Sequence, residues 1–368
     1  MKDYKMLAQS VDYGGLRLKN PIIFAPTTMG LREQEYLDKL EAIAKGGCAM
    51  IVIGDVPVLP GPMGPFSKSG FKRYSRIAEV AHRHGCKVCA QLHQNDTHFS
   101  GMFKYVPRLL TGKMKREDLR PLLNQQTGKY ISSLPVEKVR EITSAFGPAA
   151  EQVVKAGFDM VQVHGDRMCG SFSSSLFNHR TDEYGGSAEA RTRFAVEAVE
   201  SIRQRLPNLP IDYKLAVRQE DPHYGNAGVL EEELGVFVPA LERAGVTSFH
   251  VTLADHGKLE DTIPPHDHPA FSAEGCFLPF CDQVRAFTSL PLCGVGGLSD
   301  PDFVEAQLAS GRIQCAAMSR QLIADPEWPN KVRDGRAAEI RRCCRCNKKC
   351  LGGMYDHTGV HCIYDKGE

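Results

Sequence analysis

The strongest constraint on the fold is a short apolar run, rich in β-branched residues, that recurs along the chain and is followed by a longer segment of helical periodicity. Eight such runs occur: PIIFAP, MIVIGD, KVCAQL, MVQVHG, IDYKLAV, SFHVTL, PLCGVG and CAAMSR. Intervening segments such as EARTRFAVEAVESIRQRL place apolar residues at three- and four-residue intervals. This number of βα units predicts a (β/α)8 barrel, whose chemistry lies at the carboxyl ends of the strands.

A doubly wound α/β sheet is the alternative architecture. Such a sheet usually carries a glycine-rich dinucleotide-binding turn after its first strand. The turn APTTMG does not have that pattern, and GVGGLS lacks the third glycine and follows the seventh strand. The pattern therefore favours the barrel.

Charge and hydropathy restrict the partners and the location. The chain of 368 residues has 45 Lys plus Arg against 44 Asp plus Glu, and no long basic block indicates a nucleic-acid surface. The amino-terminal MKDYKMLAQS lacks the apolar core of a signal peptide, and no segment reaches the roughly 18 apolar residues of a membrane helix. We expect a cytoplasmic protein that binds a small molecule, and neither nucleic acid nor a membrane.

One strand end carries an unusual density of reactive side chains. The motif HGDRMCG places His164, Asp166, Arg167 and Cys169 directly after the fourth predicted strand. Because barrel enzymes bind substrate at this end of the strands, these four residues are candidate catalytic residues. Two long connections, roughly residues 93–133 and 255–273, are candidate lids. For the histidines of the second connection, His256, His266 and His268, solvent exposure is the expected state.

A phosphate site is predicted where the last two strands end. Gly296 and Gly297 allow backbone N–H groups to approach an anion closely, and Arg320 adds a charge-assisted contact. Lys214, within the fifth strand, would project a cation into the barrel mouth and would need an anionic or carbonyl partner there. The combination favours a phosphate-bearing cofactor.

The carboxyl-terminal tail is rich in cysteine. Of the 13 cysteines in the chain, Cys343, Cys346, Cys350 and Cys362 form a C-x2-C-x3-C-x11-C pattern, with Cys344 as a spare. In a reducing compartment these are thiols or metal ligands. Four thiolates suit either a structural zinc ion or an iron–sulfur cluster. Spacing alone slightly favours zinc.

Several motifs together resemble the Old Yellow Enzyme family of FMN-dependent reductases. They are NHRTDEYGGSAEARTRF, PLCGVGGLSDP, AAMSRQLIADPEWPNK and the cysteine tail. The resemblance runs from about residue 8 to the end of the chain, and it is greatest to the iron–sulfur branch typified by 2,4-dienoyl-CoA reductase and trimethylamine dehydrogenase. It implies an FMN-binding barrel over residues 1–335 and a cluster-binding extension over residues 336–368.

The resemblance also implies ligands for both cofactors. A [4Fe–4S] cluster, rather than zinc, would be held by Cys343, Cys346, Cys350 and Cys362. Two positions depart from the family, because Lys214 stands where Arg is usual and Ser319 where Gly is usual. The residues implied to contact FMN or its phosphate are Ala25, Pro26, Thr27, Gln91, Lys214, Gly296, Gly297, Ser319 and Arg320.

The largest departure from the family lies in HGDRMCG. Old Yellow Enzymes have a His-x-x-His/Asn-x-Tyr pattern here, in which the first two named residues hold a substrate carbonyl and the tyrosine donates a proton. This chain has Arg167 at the second position and Cys169 in place of the tyrosine. The motif resembles instead the signature of gut-bacterial bilirubin reductases within the same branch, which reduce a linear tetrapyrrole toward urobilinogen.

That resemblance implies roles for the motif. Arg167 would clamp a lactam carbonyl or a propionate, because a guanidinium rarely gives up its proton. Asp166 would orient Arg167, or act as an acid if burial raises its pKa. His164 would donate a hydrogen bond on the flavin side, and Cys169 would make room that a tyrosine ring fills. The alternatives are an ene-reductase for an enoyl thioester or a steroid enone, and a non-catalytic electron-relay flavoprotein.

The sequence also leads to an expectation about how the protein receives electrons. The larger relatives continue into domains that bind FAD and NAD(P)H, whereas this chain stops six residues after Cys362. We therefore expect a separate electron-donor flavoprotein to dock near the cluster. FAD and NAD(P)H would act only through that partner or through a domain that the sequence lacks.

Overall fold

Eight parallel strands close into a barrel, as the sequence predicts. The computed structural model describes residues 3–96, 105–114 and 116–365. Each barrel strand pairs with the next one in chain order, and the last barrel strand pairs with the first, which closes the ring. The barrel strands are β3 (Ile22–Phe24), β4 (Met50–Pro57), β5 (Lys87–His93), β6 (Met160–Gly165), β7 (Ile211–Arg218), β9 (Ser248–Thr252), β10 (Leu292–Gly294) and β11 (Cys315–Met318).

Helices surround the barrel, and short polar caps mark where several of them begin. The side chain of Ser67 accepts a hydrogen bond from the backbone of Gly70, and Ser187 and Asp300 cap their helices in the same way. The helices are Lys5–Ala8, Glu33–Lys45, Lys68–His82, Val106–Leu110, Arg116–Ser133, Val136–Lys155, Met168–Ser173, Ala188–Arg205, Leu234–Ala244, Leu259–Thr262, Leu278–Arg285, Pro301–Ala309, Arg320–Ala324, Trp328–Arg333 and Leu351–Tyr355, with 3-10 turns at Glu231–Glu233 and Ala337–Glu339.

Three short strands were missed by the sequence pattern. β1 (Val11–Tyr13) and β2 (Leu16–Leu18) form an antiparallel hairpin, and β8 (Val229–Leu230) pairs with the end of β7. Tyr13 and Leu18 from the hairpin are buried together with residues of the barrel interior. The hairpin therefore closes the amino end of the barrel, and the opposite, carboxyl end is left for a ligand.

The barrel interior accounts for several cysteines outside the tail. Cys89, Cys293 and Cys315 are fully buried there, and Cys293 lies directly opposite Cys315 on the neighbouring strand. Burial raises the pKa of each of these thiols well above its usual value, so they remain neutral. They act as small apolar core residues.

The amino terminus is held by residues from much later in the chain. The backbone N–H groups of Met6 and Leu7 donate to the carboxylate of Glu305 over 2.8 and 2.9 Å. The hydroxyl of Tyr13 donates to Asp212 inside the barrel over 2.8 Å. Among the described residues, no helix is both long enough and apolar enough to span a bilayer.

The two long connections contain more regular structure than expected. The first includes the helices Val106–Leu110 and Arg116–Ser133, although residues 97–104 and 115 lie outside the described part of the chain. The second includes the helix Leu259–Thr262 and buried side chains at His256, His268 and Phe271. The second connection is therefore packed onto the barrel end.

Candidate active site

A cavity of about 260 Å³ opens at the carboxyl end of the barrel. Every barrel strand, or the residues directly after it, contributes to its lining. Parallel register places His164 beside Lys214 and Lys214 beside His250, so these three side chains enter the cavity at one level. The structure thus places one large site where a barrel of this type carries out its chemistry.

All nine residues expected to contact FMN line this cavity. They come from five separate regions of the chain, and the barrel brings them together. Gly296 and Gly297 have positive φ values of 114° and 67°, and a Cβ on Gly296 would lie 2.9 Å from the backbone nitrogen of Phe277. Glycine is therefore required at this turn, and its open backbone fits a phosphate cradle.

Lys214 provides a second feature that fits an anionic or electron-rich ligand. Its side chain lies in the barrel mouth, and burial lowers its pKa. Its ammonium group makes no salt bridge or hydrogen bond within the part of the chain that the structure describes. A buried ammonium group without a protein partner needs a hydrogen-bond acceptor from a ligand. The carbonyl oxygens at the edge of a flavin ring would provide one.

The residues expected at the phosphate are already held in place. The hydroxyl oxygens of Ser319 and Thr27 are 2.7 Å apart. Arg320 donates to the backbone carbonyl of Pro264 over 2.9 Å and to the side-chain oxygen of Asn347 over 2.7 Å. Arg320 therefore connects the barrel to the second long connection and to the cysteine tail.

The fourth-strand motif forms one wall of the cavity. His164, Asp166 and Arg167 all line it. Asp166 accepts a hydrogen bond of 2.7 Å from Nε2 of His256, and its other oxygen lies 3.6 Å from Nε2 of His164. That nitrogen of His164 has no hydrogen-bond partner among the described residues although it is buried. A buried nitrogen without a partner is unusual, and it marks this wall as a candidate contact for a ligand.

The charge state of Asp166 follows from its partners. Burial alone would raise its pKa, but the histidines His164 and His256 and the nearby Arg167 hold it well below its usual value. For Arg167, burial opposes the charged form, but Asp166, Asp96 and Asp55 raise the pKa above its ordinary value. Both groups are therefore charged at neutral pH, and the alternative that Asp166 acts as an acid is not supported.

Cys169 does not reach the cavity. Its side chain is buried in the helix Met168–Ser173 and belongs to the main hydrophobic core. Burial raises its pKa to about 12, so the thiol is neutral. The structure therefore separates Cys169 from the other three motif residues, and a cysteine here does not enlarge the ligand cavity.

Two polar residues at the site were not singled out from the sequence. Asp55 lies near the end of β4 within the cavity lining, and His93 ends β5 with Nδ1 3.2 Å from Nδ1 of His164. A polar residue at a barrel strand end was the available signal for both. His256 and His268 correct the expectation of exposed loop histidines, because both are buried and bonded to carboxylates, whereas His266 is exposed.

The four tail cysteines share one small pocket. Cys343, Cys346, Cys350 and Cys362 line it together with Arg320. Among the described residues, only Asp55, His93 and His164 offer three ligand atoms within 4.8 Å of one another, so no three tail sulfurs are that close. Tetrahedral zinc with Zn–S bonds of about 2.3 Å needs sulfur atoms about 3.8 Å apart. The wider arrangement fits a larger centre such as an iron–sulfur cluster.

The two pockets adjoin each other. Arg320, Ile323, Cys343 and Cys350 line both the barrel cavity and the cysteine pocket. The tail residues Leu351, Met354 and Val360 also complete the cavity wall. Groups bound in the two pockets would therefore be separated by only a few side chains.

Comparison with known proteins identifies the family. Residues 9–339 match the NADH:flavin oxidoreductase / NADH oxidase family. The chain belongs to this family. It is an oxidoreductase, and the assignment supports FMN as its flavin and confirms the predicted Old Yellow Enzyme resemblance.

Individual relatives are similar over nearly the whole chain. Bilirubin reductase of Clostridium symbiosum (strain WAL-14163) is 59% identical over 366 residues, which cover 99% of this chain and 98% of that protein. Bilirubin reductase of Mediterraneibacter gnavus (strain CC55_001C) is 32% identical over 370 residues, which cover 97% of this chain but 56% of that protein. The chain thus spans nearly all of one curated relative and about half of another.

A solved structure supports the fold. 2-Naphthoyl-CoA reductase, in complex with 2-naphthoyl-CoA, matches with a TM-score of 0.78 at 21% sequence identity. The match covers 99% of this chain and 57% of that one. At this identity the likeness concerns the fold alone.

Proposed function

We propose that this FMN-dependent reductase reduces bilirubin toward urobilinogen by hydride transfer from reduced FMN to conjugated C=C bonds. The observation that carries the proposal is the presence of the oppositely charged Asp166 and Arg167 together in the cavity wall, within a chain 59% identical to a bilirubin reductase. FMN supplies the hydride chemistry when it is bound. The protein supplies position and charge.

Arg167 is proposed to hold the substrate. Its charge is sustained by Asp166, Asp96 and Asp55. A planar guanidinium in this position would bind a propionate carboxylate through two parallel hydrogen bonds, or a lactam carbonyl through one. It would also stabilise negative charge that develops on the pigment during reduction. Asp166, anchored by His256, is proposed to fix the orientation of Arg167.

His164 is proposed to contact the reacting part of the site. Its Nε2 is buried beside the cavity and has no partner among the described residues. It would donate a hydrogen bond to the flavin or to a substrate carbonyl. Cys169 has no direct role in this proposal, because its side chain lies in the core.

The cofactor assignments are part of the proposal. FMN would be contacted by the nine cavity residues, with its phosphate beside Gly296, Gly297, Ser319 and Arg320. A [4Fe–4S] cluster would be held by the four thiols of the small pocket. The shared walls of the two pockets support electron transfer between them. We further propose a separate flavoprotein as the electron donor.

The test is an anaerobic assay in which chemically reduced holoprotein receives bilirubin. We expect the visible absorbance of bilirubin to be lost and the mass of urobilinogen to appear. Arg167→Ala should abolish turnover while FMN stays bound, whereas Arg83→Ala, an exposed arginine paired with Glu41, should behave as the wild type.

Three results would count against the proposal. Normal turnover by Arg167→Ala would remove Arg167 from the mechanism. Reduction of an enoyl thioester or a steroid enone, with bilirubin unchanged, would identify a different substrate. Electron transfer to a partner protein without reduction of any small molecule would identify an electron relay.

A further inference from the structure

Three side chains at the ends of neighbouring strands converge on one point at the edge of the cavity. Asp55, His93 and His164 lie within the last three residues of β4, β5 and β6. Nδ1 of His93 lies 3.2 Å from Nδ1 of His164, and Oδ1 of Asp55 lies 3.7 and 3.9 Å from these two nitrogens. Such a convergence of two imidazole nitrogens and a carboxylate oxygen requires a shared hydrogen or a shared cation.

The dimensions of this triangle are close to those of a metal site. Tetrahedral zinc with bonds of about 2.0–2.1 Å holds its ligand atoms about 3.3–3.4 Å apart, and the three separations here are 3.2, 3.7 and 3.9 Å. Two histidines and one carboxylate on one side of an ion leave its remaining positions open. The two nitrogens therefore already have a suitable separation, and the Asp55 oxygen would need to move inward by about 0.5 Å to complete the site.

The backbone holds Asp55 in an unusual conformation. Asp55 has a φ of 54°, which is uncommon for a residue other than glycine. The pairing of β4 with β5 shifts register between Ile53 and Val56, so Asp55 lies in a strand irregularity. The hydroxyl of Thr28 donates to the other oxygen of the same carboxylate. Strain and irregularity of this kind occur preferentially at functional sites.

The surrounding charges are consistent with a cation. His93 and Asp55 bring one nitrogen and one carboxylate oxygen to the same point, which are ligand atoms that divalent transition metals accept. The other nitrogen of His164 lies 3.6 Å from the carboxylate of Asp166, the usual type of second partner for a ligating histidine. The carboxylates of Asp55 and Asp166 offset the positive charge of Arg167 nearby.

We propose that Oδ1 of Asp55, Nδ1 of His93 and Nδ1 of His164 bind one divalent transition-metal ion of the Zn²⁺ or Fe²⁺ class. Asp55 and His164 line the cavity, so the open coordination positions face it. Water or a ligand oxygen completes the coordination. One consequence rests on the proposed function: a lactam carbonyl at the open position would be polarised during reduction.

The first test is a calorimetric titration of anaerobic holoprotein, loaded with FMN and iron, with Zn²⁺. The variants His93→Gln and Asp55→Asn each remove a direct ligand. We expect each of them to bind one Zn²⁺ per chain fewer than the wild type, or to bind that ion more than about 100-fold more weakly. His84→Gln is the matched control, since His84 is paired with Glu41 and lies outside the cavity lining. Flavin absorbance verifies that each variant is folded. Equal stoichiometry and affinity in wild type and His93→Gln would overturn the proposal.

The second test needs no variant. X-ray absorption at the zinc edge of the Zn²⁺-loaded wild type should show a first shell of nitrogen and oxygen with two imidazoles. A shell dominated by sulfur would place the ion at the tail cysteines and refute the site. Neither measurement depends on bilirubin turnover, so failure of this proposal is distinct from failure of the proposed function.

Discussion

At the scale of single residues, the carboxylate of Asp166 next to Arg167 has a hydrogen-bond partner that lies outside the motif. His256 comes from the second long connection and donates to Asp166 over 2.7 Å, while its ring stacks on Phe177. Asp166 in turn lies beside Arg167 in the cavity wall. If Arg167 holds the substrate as proposed, His256 acts as a positioning residue through Asp166.

Replacing this histidine gives a prediction that separates positioning from binding. His256→Ala should lower kcat about 10- to 100-fold, because a hydrogen bond to a charged group contributes about 1.5–3 kcal/mol. Flavin absorbance should be unchanged. His256→Gln, which keeps a side-chain donor, should recover part of the loss. The control is His266→Ala, because His266 is exposed on the same connection. Equal kcat values in His256→Ala and His266→Ala would contradict the positioning role.

A second residue makes stability depend on pH. Asp212 is fully buried, and burial raises its pKa to about 6 although Gln162, Ser248 and Tyr13 donate to it. The folded protein therefore keeps this proton to a higher pH than the unfolded chain does. The contribution of Asp212 to stability is therefore greatest below about pH 4, falls by about 3 kcal/mol between about pH 4 and 6, and is constant above that range.

Asp212→Asn tests this assignment. Asparagine does not ionise, so the variant does not lose stability through this group as the pH rises. The free energy of unfolding of the variant minus that of the wild type should therefore be up to about 3 kcal/mol higher at pH 8 than at pH 4. Urea unfolding of holoprotein at both pH values measures the change. Asp267→Asn, at an exposed position, should follow the wild type. A stability difference that does not vary with pH would show that Asp212 does not titrate in this range.

At the scale of elements, the short helix Met168–Ser173 fixes the direction of the chain at Asp166 and Arg167, which directly precede it. A Cβ on Gly170 would lie 2.5 Å from the carbonyl oxygen of Gly165 and 3.2 Å from the nitrogen of Gly228. Gly170→Ala should therefore cost about 1–3 kcal/mol of unfolding free energy, as overpacking does. Gly61→Ala is the control, because nothing lies within 4 Å of a Cβ there. Similar denaturant midpoints for the two variants would show that the helix adjusts without strain.

The same elements show what a sequence pattern can and cannot predict. The eight barrel strands were predictable because strands buried on both faces are continuous apolar runs. The cavity positions of Lys214, within a strand, and Gly296, after one, follow from the barrel and the family resemblance. The hairpin of β1 and β2 was missed because its strands have only three residues each. Burial of His256 and of Cys169 depends on long-range packing, which local periodicity does not encode.

At the scale of the whole molecule, the cysteine tail belongs to the ligand cavity as much as to its own pocket. Loss of one thiol should therefore have two effects. Cys346→Ser should lower iron and acid-labile sulfide from about four per chain and should weaken FMN binding, because tail residues form part of the cavity wall. Metal analysis and FMN fluorescence titration measure the two effects.

The neighbouring cysteine is the matched control for this prediction. Cys344 is exposed and is the spare in the tail pattern, so Cys344→Ser should retain iron and FMN. Zinc without iron in the wild type would exclude the cluster. Iron loss with unchanged FMN affinity would show that the tail keeps its position without the metal centre.

The contacts of the amino terminus affect how the chain folds during synthesis. Met6 is bonded to a residue 299 positions later, and Tyr13 to one 199 positions later. At about 5–20 residues per second, roughly 15–60 s pass between synthesis of Met6 and synthesis of Glu305. The segment made first is therefore among the last to dock, and the apolar face of its hairpin stays uncovered on the ribosome until the barrel behind it has formed.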